Sequence, residues 1–146
     1  MANHCRLASA SAIAMCNALV DLIDGGAAAG TLIMYTGTEP DYADDAGSLT
    51  EVATLTFADP AYGGAAADGV NYWAEADLSS TISDSSATGN ASAVTCFRIK
   101  DSNSATVLQG TLGTSGADIN LNSTTIGAGA QVDVTALQVR VPYNQA

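Results

Sequence analysis

One stretch of this chain, residues 7–24, carries apolar residues at helical spacing, and every later apolar run is cut short by turn formers. Ile13, Cys16, Val20 and Ile23 recur about one turn apart, with Ala12, Met15, Leu19 and Leu22 beside them. That periodicity predicts one amphipathic helix with a broad buried stripe. Its alanines favour helix, and Gly25–Gly26 supplies the stop. Asp21 and Asp24 fall at the C-terminal end of the helix dipole, where negative charge is mildly unfavourable. The plain role for such a helix is packing against a core, and residues 1–6 ahead of it read as a short N-terminal arm.

Beyond the helix the period changes to two. Thr31–Thr36 is a compact β-branched strand, followed by a loop over 37–48 that holds Pro40, three Asp and two Gly. Leu49–Phe57 alternates, predicting Leu49, Glu51, Ala53, Leu55 and Phe57 on one face. Asp59–Gly69 breaks the pattern, Val70–Leu78 resumes it, and Ile82–Gly89 reads as a Ser/Asp turn region. Ala93–Lys100 predicts a half-buried strand, with Phe97 and Ile99 inward and Arg98 and Lys100 on a wet face. Asp101–Ser104 turns it into a hairpin with Thr106–Leu112. Short strands at Ile119–Leu121 and Gln131–Pro142 follow, the latter setting Leu137, Val139 and Val141 opposite Gln138 and Arg140. Breaks spaced mostly 8–15 residues apart favour a β-sandwich, jelly roll or barrel over βαβ units. The expected fold is mainly β: a jelly-roll-like sandwich or barrel over 31–142 with one N-terminal α-helix, all in one domain spanning 1–146.

Such a domain is thinly furnished. The chain has 28 alanines but only 29 residues of Leu, Ile, Val and Phe combined, so each element buries little. Short loops, sheet pairing or a subunit interface must then contribute much of the stability. Twelve Asp stand against three Glu, beside 15 Thr and 13 Ser, a balance suited to strands and turns. The formal charge of −11 argues against a nucleic-acid surface, which needs a basic stripe, and against an anionic membrane. It suits an exposed coat at high local concentration. No run approaches a membrane span, and the first residues lack the pattern of a signal peptide. Three cysteines (Cys5, Cys16, Cys96) are an odd number without a CxxC pair, which favours a reducing compartment of synthesis.

Groups for catalysis are scarce. The single histidine, His4, lies in the arm, where nothing holds it against a nucleophile. Asp41, Asp44 and Asp45 cluster near Glu39 and could supply part of a calcium shell, but the spacing matches no standard loop. A solvated acidic loop is the simpler reading. Asp59 precedes Pro60 in a turn and has no carboxylate partner at a defined distance. The glycine-containing stretches 25–30 and 113–116 have no lysine and fit no phosphate loop. Two sequons, at Asn90 and Asn122, carry no meaning in a chain that is not secreted. No catalytic residue, cofactor or metal is expected.

Contact residues are easier to name. Adjacent strand residues face opposite ways, so one of Tyr72 and Trp73 is expected to point outward, toward a sugar or another subunit. Four cations stand against fifteen acids: Arg6, Arg98, Lys100 and Arg140. They are either ordinary partners on a wet sheet or the groups that dock onto an acidic neighbour.

The order of segments resembles a family of small virion proteins of tailed bacteriophages and prophages. The matching pieces are the helix ending in Asp24-Gly25-Gly26, Thr31–Pro40, Ala53–Gly63, Cys96–Asp101, Gln109–Asn122 and the closing Val132–Pro142. Together they cover most of the chain, and the likeness lies in their order rather than in any one motif. Within that family the chain is most similar to capsid decoration, or cement, proteins. The resemblance implies a jelly-roll-like domain on the outside of the head that oligomerises at symmetry axes. It implies the major capsid protein and a second or third copy of itself as partners, and no catalytic residues. A tail, baseplate or fibre module, binding host glycans through Tyr72 and Trp73, is the alternative.

Overall fold

A computed structural model describes residues 6–143. The element order is α1 (Ser9–Asp21), β1 (Thr31–Thr36), β2 (Thr50–Thr56), β3 (Ala66–Asp68), β4 (Trp73–Asp77) and β5 (Ile82–Asp84), then β6 (Cys96–Lys100), β7 (Thr106–Gly113), β8 (Ile119–Asn120), β9 (Val132–Val134) and β10 (Gln138–Pro142). The protein is mainly β with a single N-terminal helix among the described residues. The strands form a five-stranded sheet in the order β2-β1-β6-β7-β8, a three-stranded sheet β10-β4-β3 and a two-stranded ribbon β5-β9. All pairs are antiparallel except β7 with β8.

The helix is shorter than its periodicity predicts, at both ends. No side chain caps it at Ala8, and at the other end the Ile23 N–H turns back to the Val20 carbonyl at 3.0 Å. The buried stripe narrows to Ala12, Cys16 and Val20, continued past the helix by Ile23, while Met15 and Leu22 are exposed. Asp24 is no burden on the dipole: its carboxylate accepts the Ala61 N–H at 2.9 Å and ties down the following loop. Helix α1 packs on β3, β4 and β10. It sits against Ala74 and Ala76, which are fully buried, so small side chains on both surfaces let the layers approach closely.

The strand at 31–36 forms as expected and has both faces covered. On one face Leu32 and Met34 join the main apolar cluster with Val52, Leu55, Ile82, Ile99 and Val139. On the other, Ile33, Tyr35 and Cys96 form a second small cluster with Leu49. The single alternating face predicted for 49–57 is therefore wrong. The register against β1 shifts between Met34 and Tyr35, where Ala53 is followed by Glu51 as the next partner, leaving Val52 as the extra residue of a bulge. Leu55 and Phe57 face the main core, and Leu49 falls on the opposite side.

Three further expectations are corrected. The 131–142 segment is not one strand: β9 pairs with β5 and β10 with β4, in different sheets. The 82–89 stretch, read as a turn region, contains β5, and 59–69, read as a break in the pattern, contains β3. Strand β4 begins at Trp73, because Val70–Tyr72 forms a turn in which Val70 is 82% exposed. The hairpin of β6 and β7 across 101–104 forms as predicted.

Candidate interaction surface

The alternation of β4 turns Trp73, Glu75 and Asp77 outward and Ala74 and Ala76 inward. Strand β10 lies beside it with Pro142 opposite Trp73, Arg140 opposite Glu75 and Gln138 opposite Asp77. These cross-strand neighbours form one polar network. Arg140 Nε donates to Glu75 Oε2 at 2.6 Å, and the other arm of the guanidinium donates to Gln138 Oε1. Gln138 Nε2 in turn donates to Glu75 Oε1 at 3.0 Å and Asp77 Oδ1 at 2.8 Å. The guanidinium carbon of Arg140 lies 4.3 Å from the centre of the Trp73 ring, in cation–π contact. Trp73 is thus roofed by a cation, and its Nε1 is buried without a hydrogen-bond partner.

Tyr72 is the more exposed aromatic of the pair, at 47%. It holds a positive φ of 60° at the end of the β3–β4 turn. Asp68 builds that turn by accepting the backbone N–H of Val70 at 2.8 Å and the Asn71 side-chain amide at 2.7 Å. These bonds to the charged form, led by the Asn71 amide, hold the Asp68 carboxyl below the usual carboxylate range. Tyr143 packs edge-on against Tyr72 with ring centres 6.1 Å apart, and its hydroxyl donates to the Asp68 carbonyl at 2.9 Å.

Comparison with protein-family models, with curated proteins and with solved structures returns no match to this chain.

Of the six contact residues named from sequence, Tyr72, Trp73 and Arg140 come together here. Arg98 does not belong with them and is not on a wet face. It is 6% exposed, because the 37–48 loop folds across that side of β6 and β7. Arg98 donates through Nη2 to the Asp45 carbonyl and through Nε to Gln109 Oε1 at 3.0 Å. Gln109 completes the strap by donating to the Pro40 carbonyl at 2.7 Å. Lys100 shares the strand face of Arg98 and is half-buried at its end, while Arg6 is exposed ahead of the helix. The acidic loop holds Asp41, Asp44 and Asp45 over this strap, and among the described residues no three His, Cys, Asp or Glu side chains gather as a metal site. His4 and Cys5 lie outside the described residues. Cys16 and Cys96 are buried free thiols, each pushed upward in pKa chiefly by burial. Among the described residues no helix is long and apolar enough to cross a membrane.

A second feature escaped the sequence altogether. A cleft of about 520 Å³ opens between β7 and β10, with Leu19, Tyr62, Phe97, Ile99, Leu108, Leu137 and Val139 among its walls. These residues come from five separate segments, so no local pattern announces the cleft. Tyr62 is 4% exposed and its hydroxyl has no hydrogen-bond partner.

Proposed function

We propose that this chain is a non-catalytic coat subunit that decorates the outer surface of a bacteriophage capsid. In this reading its β-layers form a jelly-roll-like single domain, and it stabilises contacts between capsomers of the major capsid protein. Apolar contact points on an otherwise acidic surface carry the reading. Met15 and Leu22 stand exposed on the outward side of α1, and Val70 and Tyr72 at the β3–β4 turn. A net charge of −11 keeps such a subunit soluble while it is free, and the apolar points offer contact once neighbours are packed around it. Many weak contacts repeated by lattice symmetry then sum to tight binding, either as a dimer or as a trimer on the head.

Purified heads lacking the protein, incubated with it, are expected to bind it at a fixed ratio and to resist heat disruption better. Heads that neither bind it nor gain resistance refute the proposal. The competing reading, a tail or fibre module that holds glycans, draws support from the exposed Tyr72 ring backed by Tyr143. Immunogold labelling of virions separates the two by showing head or tail. Loss of glycan binding on Tyr72→Ala or Trp73→Ala would favour the second.

A further inference from the structure

Strand β10 is the edge of its sheet, and among the described residues no strand pairs with its other side. Its hydrogen-bond phase is fixed at both ends. The Leu78 N–H donates to the Leu137 carbonyl at 3.2 Å, and the Tyr143 N–H donates to the Tyr72 carbonyl at 2.9 Å. In an antiparallel ladder successive residues alternate, so Leu137, Val139, Val141 and Tyr143 face β4. The peptide N–H and C=O groups of Gln138 and Arg140 therefore point away from it, along the cleft. Across the cleft, β7 presents a matching edge. Its phase follows from the Leu112 N–H bond to the Thr95 carbonyl, 2.8 Å, which turns Gln109 and Thr111 away from β6. Thr111 N–H is taken by Asp118 Oδ2 at 2.9 Å. The Gln109 side chain is committed to the loop strap on the far face, so Gln109 brings its backbone to the cleft.

We infer that this cleft is a strand-accepting slot, which binds an extended segment of another protein along β10. The backbone of Gln138 and Arg140 would pair with that segment, and its alternate apolar side chains would enter between Leu108, Ile99, Leu137 and Leu19. Strand addition to an open edge draws affinity from main-chain hydrogen bonds and specificity from pockets for every second side chain. The molecule supplies both: an unpaired edge beside an apolar cleft. A second copy of this chain is a poor occupant, because the inward face of its own β10 is already covered by its own α1. That helix would have to enter the slot with the strand. A lone segment carries no such layer. Charge defines the segment further: Asp118 and Arg140 both line the slot, but Arg140 is already paired with Glu75, so the carboxylate of Asp118 and the chain's −11 set the local balance. Basic residues at the segment's ends complement this surface. The inference stands apart from the virion reading, and neither fails with the other.

The test uses the full-length, isotope-labelled protein and a synthetic peptide of about nine residues, with valine at every second position and lysine at both ends. The expected result is amide exchange at Gln138 and Arg140 slowed about tenfold or more by the peptide, with spectral shifts centred on Leu108, Gln109, Leu137 and Val139. A peptide of the same length with proline at the intervening positions should not bind, because it cannot donate to the edge. Gln138→Pro removes an outward N–H and leaves the β4 ladder intact, so it should weaken binding about tenfold in a folded protein. Leu108→Gln tests the cleft wall independently and should do the same. Four results overturn the inference: no protection at millimolar peptide, shifts centred elsewhere, equal binding by both variants, or Gln138 and Arg140 amides already protected without peptide. Protection that instead rises with protein concentration alone assigns the edge to a second copy and equally overturns it.

Discussion

Arg98 donates a hydrogen bond to the backbone carbonyl of Asp45, so a cation in the middle of β6 fastens the acidic loop to the sheet. The residue looks from sequence like a surface docking group, and it acts instead as a clasp beneath the loop.

Removing that clasp should therefore release the loop. Arg98→Met keeps much of the apolar stem but leaves the Asp45 carbonyl and Gln109 without their donor. Hydrogen bonds from a charged group contribute about 1.5–3 kcal/mol, so denaturant unfolding should show a loss near 2 kcal/mol. Limited proteolysis should shift to the 37–48 loop. Unchanged stability with an uncut loop would show that the clasp carries no weight.

The roof over Trp73 makes a smaller prediction. An exposed cation–π contact is worth about 0.5–1 kcal/mol and an exposed ion pair rarely more than 1 kcal/mol. Arg140→Ala should then cost roughly 1–1.5 kcal/mol. Because Trp73 is the only tryptophan, its emission should move to longer wavelength as water replaces the guanidinium. Glu75→Gln, which removes the ion pair and leaves Arg140 in place, should move it far less.

Acid should loosen the β3–β4 turn and the β5–β9 ribbon, each held by a carboxylate. Asp68 is held below the usual range by Asn71 and the backbone, and Asp133 by Ser83 first and then Gln131. A carboxyl with a depressed folded pKa adds stability that is fully present above its ordinary pKa. That stability fades as pH falls through the folded value, because the unfolded chain takes up the proton first. Asp68→Asn and Asp133→Asn should thus be less stable than the parent at neutral pH, with the gap closing as pH falls below the ordinary carboxylate range. A gap that stays constant with pH would contradict this.

Gly89 should tolerate no side chain. Its φ is +73°, and a Cβ there would meet the Ala128 nitrogen at 2.2 Å and the Gly127 carbonyl carbon at 2.4 Å. Both are backbone atoms that cannot step aside as a flexible side chain can. Gly89→Ala is expected to lose more than about 2 kcal/mol, combining left-handed strain with overpacking. Gly129, whose φ is +74° with open space around it, is the control: alanine there meets only the strain.

What the sequence made legible was what neighbours along the chain decide. Thr31–Thr36 forms as a strand because its β-branched and aromatic run is bounded by glycines, and 101–104 turns because Asp101 accepts the Asn103 and Ala105 N–H groups. What distant contacts decide was not legible. Ile82–Asp84 and Val132–Val134 are three residues each and exist as strands by pairing with one another, about fifty positions apart. Arg98 looks solvated until a loop some fifty positions away is laid over it, and alternation in 49–57 has no means of marking the extra residue at Val52. The Trp73–Arg140 contact shows the same division. Each residue was named as a contact group, but their meeting depends on the register of β10 against β4.

The alanine seam between α1 and β4 has a calorimetric consequence. Ala12, Ala74 and Ala76 are fully buried, yet each withdraws far less apolar surface from water than a leucine or valine in its place. Heat capacity of unfolding and sensitivity to denaturant both scale with the surface exposed when the chain opens. A protein assembled this way should have a shallow stability curve for its length. It would gain little on cooling toward its optimum and surrender its fold gradually, rather than abruptly, as denaturant rises.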